Sequence, residues 1–176
     1  MKLVNKLLST LMMVTLAATP ILLISSRAMA EPGMDGSYIG AGVAAGVTNG
    51  GRGHDDAQFG GTLQGRWQIP DISTPISLRG AALIGGDTVA LVPTVTYDFP
   101  IVRNTNLYAG VGYSFLVDDS HVTQLGNKDS VVVTTGVETA VNDDIVIFGD
   151  AKWGIDAYRN TSADAVSLQA GVGVRF

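Results

Sequence analysis

The stretch Phe59-Gly60-Gly61-Thr62-Leu63-Gln64-Gly65-Arg66-Trp67-Gln68-Ile69 decides the fold. Taken every second residue, it separates into Phe59, Gly61, Leu63, Gly65, Trp67 and Ile69 against Gly60, Thr62, Gln64, Arg66 and Gln68. A period of two belongs to a β-strand, whose side chains point alternately to opposite faces. The split recurs along the chain. Ile76, Leu78, Ala82 and Ile84 oppose Ser77, Arg79 and Ala81; Ile145, Ile147, Ala151, Trp153 and Ile155 oppose Asp150, Lys152 and Asp156. Val166, Leu168, Ala170, Val172, Val174 and Phe176 oppose Ser167, Gln169 and Arg175. Turn-forming residues punctuate these runs and predict eight strands, at 37–48, 58–69, 76–84, 88–99, 106–117, 130–141, 145–156 and 164–176. No stretch has the period of an amphipathic helix, so the fold class is all-β.

Alternation leaves open which face is inside. A soluble barrel of lipocalin type buries its apolar face, whereas a membrane barrel turns it to lipid. Two features favour the membrane. The polar face carries Gly40, Gly42, Gly110, Gly112, Gly136, Gly171, Gly173, Thr and Gln with few charges, too poor for a water-exposed surface. The aromatics of the apolar face fall near strand ends, with Phe59, Tyr113, Phe115 and Trp153 toward one rim and Trp67, Tyr97, Phe99 and Phe176 toward the other. Aromatic girdles around an aliphatic band are what a bilayer interface selects. The expectation is an eight-stranded antiparallel up-and-down transmembrane β-barrel. Pro93 is a misfit, since it cannot donate to a ladder, and a local bulge is expected there.

The chain has 176 residues, 46% hydrophobic and 15% charged, with mean hydropathy +0.28, 22 glycines and no cysteine. This excludes disorder, a disulfide scaffold and a thiolate metal site. A net charge of −5 argues against a nucleic-acid partner. Lys2 and Lys6, the apolar run Leu7 to Ile24, and Ala28-Met29-Ala30 read in order as a secretory signal peptide cut after Ala30. An uncleaved spanning helix is the alternative, which Pro20 and the small-residue site disfavour. The expected division is 1–30 signal peptide and 31–176 barrel domain, the latter with net charge −8 once Lys2, Lys6 and Arg27 are removed.

With these features in hand, the chain resembles the small eight-stranded outer-membrane barrels, the OmpA/OmpX-type and opacity-protein superfamily. The resemblance covers residues 36–176 and includes the ending Leu168-Gln169-Ala170-Gly171-Val172-Gly173-Val174-Arg175-Phe176. It implies an outer-membrane location, lipid as surroundings, folding without cofactor, and Phe176 as an assembly signal read by the barrel-assembly machinery. It does not choose a role, because such barrels serve adhesion, envelope integrity, small pores and lipid modification.

Candidate site residues lie on the polar face. Arg66 and Arg79 are expected to meet Glu138 and Asp150 inside the barrel, reaching across the small wall of Gly40, Gly42, Gly171 and Gly173. Lys152 and Arg175 complete a lumen charge network, which serves either as a structural plug or as a gate. Inward Leu83, Tyr108, Leu116, Val132 and Phe148 favour a filled interior. The outer loops are acidic, with Asp55, Asp56, Asp87, Asp118, Asp119 and Asp129, but lack calcium-loop spacing. Lipid-modifying relatives use His with Ser and a carboxylate at the rim. His54 and His121 fall in loops instead of on rigid strands, so no catalytic, cofactor or metal site is assigned. The functional expectation is a non-enzymatic outer-membrane barrel, monomeric, acting structurally or through its outer loops. The alternatives are a narrow pore for small solutes or ions and a soluble lipocalin-like binder in the periplasm.

Overall fold

A computed structural model describes residues 33–48, 58–69, 75–118, 121–159 and 161–176. The signal peptide and its cleavage site, His54, Asp55, Asp56 and Asp119 lie outside the described residues. Each alternating segment is a strand: β1 Tyr38–Gly46, β2 Phe59–Gln68, β3 Ile76–Gly85, β4 Thr88–Val102, β5 Thr105–Leu116, β6 Ser130–Ala140, β7 Ile145–Ile155 and β8 Ala165–Arg175. Neighbours in sequence pair antiparallel, and β1 also pairs with β8, from Tyr38↔Arg175 to Gly46↔Ser167, closing the barrel. Closure gives every strand two partners and leaves no edge.

One end of the barrel carries the start of β1, the end of β8 and the tight turns β4–β5 and β6–β7. The other carries the loops β1–β2, β5–β6 and β7–β8 and the turn Gly86-Asp87. We call these the termini end and the loop end. The turn Gly86-Asp87 has Gly86 at φ 54°, a left-handed conformation that lets two residues join β3 to β4.

The faces are inverted relative to a soluble protein. Ile39, Leu63, Trp67, Val95, Val111 and Val172 point outward, each at least 50% exposed. Thr62, Gln64, Arg66, Asp98, Glu138 and Lys152 point inward and are at most 4% exposed. The apolar wall is therefore the outer one, which fits a bilayer and overturns the lipocalin-like alternative. The outer aromatics stand at the two rims. Tyr97 packs against Phe99 as a tilted ring pair at the termini end, with centroids 4.6 Å apart, and Tyr113 against Phe115 at the loop end, 4.9 Å apart.

The expected bulge at Pro93 does not occur. The β4–β5 register is the same at Leu91↔Phe115 and Thr94↔Gly112, so no residue is inserted between them. Pro93 points outward, and the absence of its N–H removes a ladder bond without shifting the strands. The irregularity lies instead between Pro100 and Val102. There β4 runs three residues past the expected end at Phe99 and turns through Arg103-Asn104, with Asn104 at φ 59°.

Candidate functional site

The lumen is the place where polar side chains converge, and its chemistry begins with a register conflict. Arg66 and Arg79 are direct partners across the β2–β3 ladder on the inward face. Two guanidinium groups side by side in a closed barrel are unfavourable unless carboxylates separate them. Asp98 on β4 and Glu138 on β6 do so. Arg66 Nη2 lies 2.8 Å from Asp98 Oδ2, and its Nη1 3.2 Å from Glu138 Oε1. Arg79 Nη2 lies 2.9 Å from Asp98 Oδ1, and its Nη1 2.7 Å from Glu138 Oε2. Each carboxylate thus bridges both arginines, and the four charges balance.

Neutral groups occupy the positions that remain. Ser77 donates to Asp98 and accepts from Arg66 Nε at 3.1 Å. Arg79 Nε donates to Thr96 Oγ1 at 3.0 Å, and Asn106 Nδ2 donates to Glu138 Oε1 at 3.3 Å. The guanidinium carbon of Arg79 stands 3.6 Å from the centre of the Tyr108 ring.

The expected pairing of Asp150 with the arginines is not what forms. Asp150 Oδ1 takes Lys152 Nζ at 2.7 Å, and Asp150 Oδ2 accepts from Tyr108 OH at 2.9 Å. Asp150 and Lys152 are two apart on β7 and share its inward face, so they neutralise each other locally; Asp156, expected on the same face, lies past the end of β7 at φ 53° and is exposed, paired with Lys128 at 2.6 Å. The Tyr108 ring lies over Gly136, where a Cβ would strike the ring, and it stands between the Asp150–Lys152 pair and Arg79. Asp98 takes the role expected of Asp150. Its signal was present in the sequence: it shares parity with Thr94 and Thr96 and sits between outward Tyr97 and Phe99.

Arg175 is also outside the cluster. It has inward parity but lies at the strand's end, where its Nε donates to the Asp143 carbonyl at 2.8 Å in the β6–β7 turn. Its Nη2 is 3.6 Å from Asp143 Oδ1. Phe176 points outward and is 71% exposed. The glycine wall is not a passage for arginine side chains. The Phe148 ring packs over Gly40 and Gly171, and Tyr38 stacks on Phe148 at 5.8 Å.

Both ends of this polar interior are covered. At the loop end, Thr123 and Gly126 form a tight turn that directs Gln124 and Leu125 inward. Leu125 is fully buried against Ala44, Ala81, Leu83, Ala90, Val92 and Val132, an apolar layer on the inward face. Gln124 Nε2 donates to the Ile84 carbonyl at 3.0 Å, fixing the turn. At the termini end, Met34 is buried against Tyr38, Ala140, Val146 and Phe148. Sequence reasoning missed both covers, because neither lies in a strand.

A closed eight-stranded barrel with an apolar outer wall, a charge-balanced polar core and short turns at the termini end invites comparison with solved proteins. The fold is that of the small eight-stranded outer-membrane barrels. Neisserial surface protein A superposes with a TM-score of 0.57 at 20% identity, covering 81% of this chain and 98% of its own. Ail, the attachment invasion locus protein of Yersinia pestis, superposes with a TM-score of 0.52 at 21% identity, covering 81% of this chain and all of its own. A second structure of Ail, in complex with the heparin analogue sucrose octasulfate, gives a TM-score of 0.53 at 18% identity. In sequence, no family model and no curated protein matches this chain.

His121 is half exposed at the loop end, its Nδ1 3.5 Å from Asp118 Oδ2 and its Nε2 3.9 Å from Asp87 Oδ2. Among the described residues, no three His, Asp or Glu side chains are placed to hold a metal ion.

Proposed function

We propose that this protein is a non-enzymatic outer-membrane barrel, exported behind a cleaved leader, that acts at the cell surface through its loop end. The observation that carries this reading is the filled lumen. The Leu125 layer, the Lys152–Asp150–Tyr108 group, the Arg66–Arg79–Asp98–Glu138 cluster and Met34 occupy successive levels. A lumen blocked at each level serves poorly as a conduit, which leaves the loops as the working surface. The aliphatic outer wall between aromatic rims supports a bilayer location, with the termini end in the periplasm. Closure of β1 on β8 favours a monomer, since no strand edge is offered to a second copy. Phe176, ending the outward stripe of β8, is the proposed signal to the barrel-assembly machinery.

The names of the structural neighbours, a surface protein and an attachment invasion locus protein, agree with a surface role. The charge of the described loop end narrows the partner. Asp87, Asp118, Asp129, Asp156 and Asp164 outnumber Lys128 and Arg159 there, so a cationic surface suits it better than a sulfated polyanion.

The test is conductance of the purified barrel in a planar lipid bilayer. This reading expects no sustained single-channel current. A stable conductance would replace it with the narrow-pore reading.

A further inference from the structure

The residues before β1 do more than lead into it. Gly33-Met34-Asp35-Gly36 has no ladder pairing of its own and is held by hydrogen bonds from side chains of β2 and β5 and by a pocket lined from β1, β6 and β7. Asn106 on β5 engages both backbone polar groups of one residue, Met34. Its Oδ1 accepts from Met34 N–H at 3.1 Å, and its Nδ2 donates to the Met34 carbonyl at 2.7 Å. Arg66 Nη1 donates to the Met34 carbonyl at 3.2 Å and to the Gly36 carbonyl at 3.1 Å. Gln68 Oε1 accepts from Gly36 N–H at 2.5 Å. The Met34 side chain fills the hollow of Tyr38, Ala140, Val146 and Phe148.

These contacts combine sequence-independent reading of backbone groups with one apolar pocket for a flexible, unbranched side chain. That is how folded domains bind extended peptides. Two glycines fit the segment to the site. A Cβ on Gly33 would meet Pro100 Cβ at 2.8 Å and the Asn106 side chain more closely still. Gly36, at φ 88°, turns the chain back into β1. Beside the segment is a cavity of about 190 Å³, whose lining includes Gly33, Met34, Arg66, Ser77, Asp98 and Asn106. The surroundings are therefore not close-packed, and the arginine cluster lies directly beneath.

We infer that the termini end of the barrel is a peptide-binding site, and that Gly33–Gly36 is its resident ligand, a displaceable latch over the Arg66–Asp98–Glu138 cluster. With the latch seated, Arg66 spends Nη1 on two latch carbonyls, and Asn106 joins Met34 to Glu138 Oε1. Released, the latch uncovers Ser77 and Asp98 to solvent from that end. The class of ligand is a short segment with an apolar residue preceded by glycine. It is supplied in cis here, and the same contacts would accept it in trans.

The native chain has no cysteine, so a single introduced thiol gives a clean report. Ala140→Cys places it beside Met34 in a buried position. The folded, detergent-solubilised barrel is treated with a charged, membrane-impermeant thiol reagent, and folding is checked by heat-modified gel migration. With the latch present, labelling should be slow. Deletion of Glu31–Asp35 should speed it by on the order of tenfold or more, since the site then stands open. The synthetic peptide Glu-Pro-Gly-Met-Asp-Gly, added up to about 10 mM to match the effective concentration of a tethered segment, should restore protection saturably. The same peptide with Asp in place of Met should not. Full-length Met34→Asp should label as fast as the deletion. Labelling unchanged by deletion would overturn the latch, and so would a deletion variant unable to fold. Failure of the peptide to protect at its highest concentration would overturn the binding site.

Discussion

Glu138→Ala probes the lumen cluster at its most connected point. Glu138 is 1% exposed and meets Arg79 at 2.7 and 3.0 Å, Arg66 at 3.2 Å and Asn106 at 3.3 Å. Its loss leaves two guanidinium groups sharing Asp98 alone, so a balanced cluster gains one uncompensated positive charge. Removing one partner from such a buried network costs about 3–5 kcal/mol, the lower end applying if water enters the vacated space. That is roughly a hundred- to several-thousand-fold in the folded-to-unfolded ratio. Urea titration in detergent micelles, followed by Trp67 and Trp153 fluorescence and by gel migration, measures it. Arg79→Met combined with Glu138→Leu removes one charge of each sign and leaves Arg66 with Asp98 at 2.8 Å, so the double variant should recover most of the loss. Asp143→Ala, in the exposed β6–β7 turn, should leave stability unchanged. A Glu138→Ala barrel within about 1 kcal/mol of the parent would refute the reasoning, as would a double variant no more stable than the single one.

Leu63→Arg, on the outer wall, should cost about 2–4 kcal/mol in lipid and reduce insertion into vesicles. Its inward neighbour Thr62→Ser should insert normally, and equal insertion would contradict the placement of the two faces. Leu125→Ala should cost about 2–5 kcal/mol through the cavity it opens under the β5–β6 loop and hasten proteolysis there. Unchanged proteolysis would mean that Leu125 does not hold the loop. Gly136→Val should displace the Tyr108 ring, loosening its bond to Asp150, and lower the urea midpoint. The exported protein should have the mass of a chain beginning at Glu31, and an intact Leu7–Ile24 segment would remove the cleavage reading.

How much was legible in the sequence follows from the range of each interaction. Strand count and phase were written locally, because a period of two survives in any window of a few residues. Phe59 to Ile69 alone carries it. The outward sense of the aliphatic face came from the charge-poor polar face and the aromatic rims. Inward placement of Arg66, Arg79, Glu138, Asp150 and Lys152 followed from the same parity. The partners within the lumen did not. Asp98 lies on β4 and Glu138 on β6, and which carboxylate reaches the arginines depends on registers fixed by the intervening turns and ladders of the closed barrel. Tyr108 over Gly136 diverted Asp150 to Lys152, a choice made by ring volume in a confined space. Arg175 obeyed its parity, yet one residue of height at the strand end gave it to Asp143. Met34 and Leu125 carry no periodic signal at all, and their burial follows from barrel closure, which makes pockets at each end for a neighbouring apolar side chain. Alternation along the chain thus determined the faces, whereas tertiary closure decided the partners, because side-chain parity is a property of one strand and charge pairing a property of the enclosed volume.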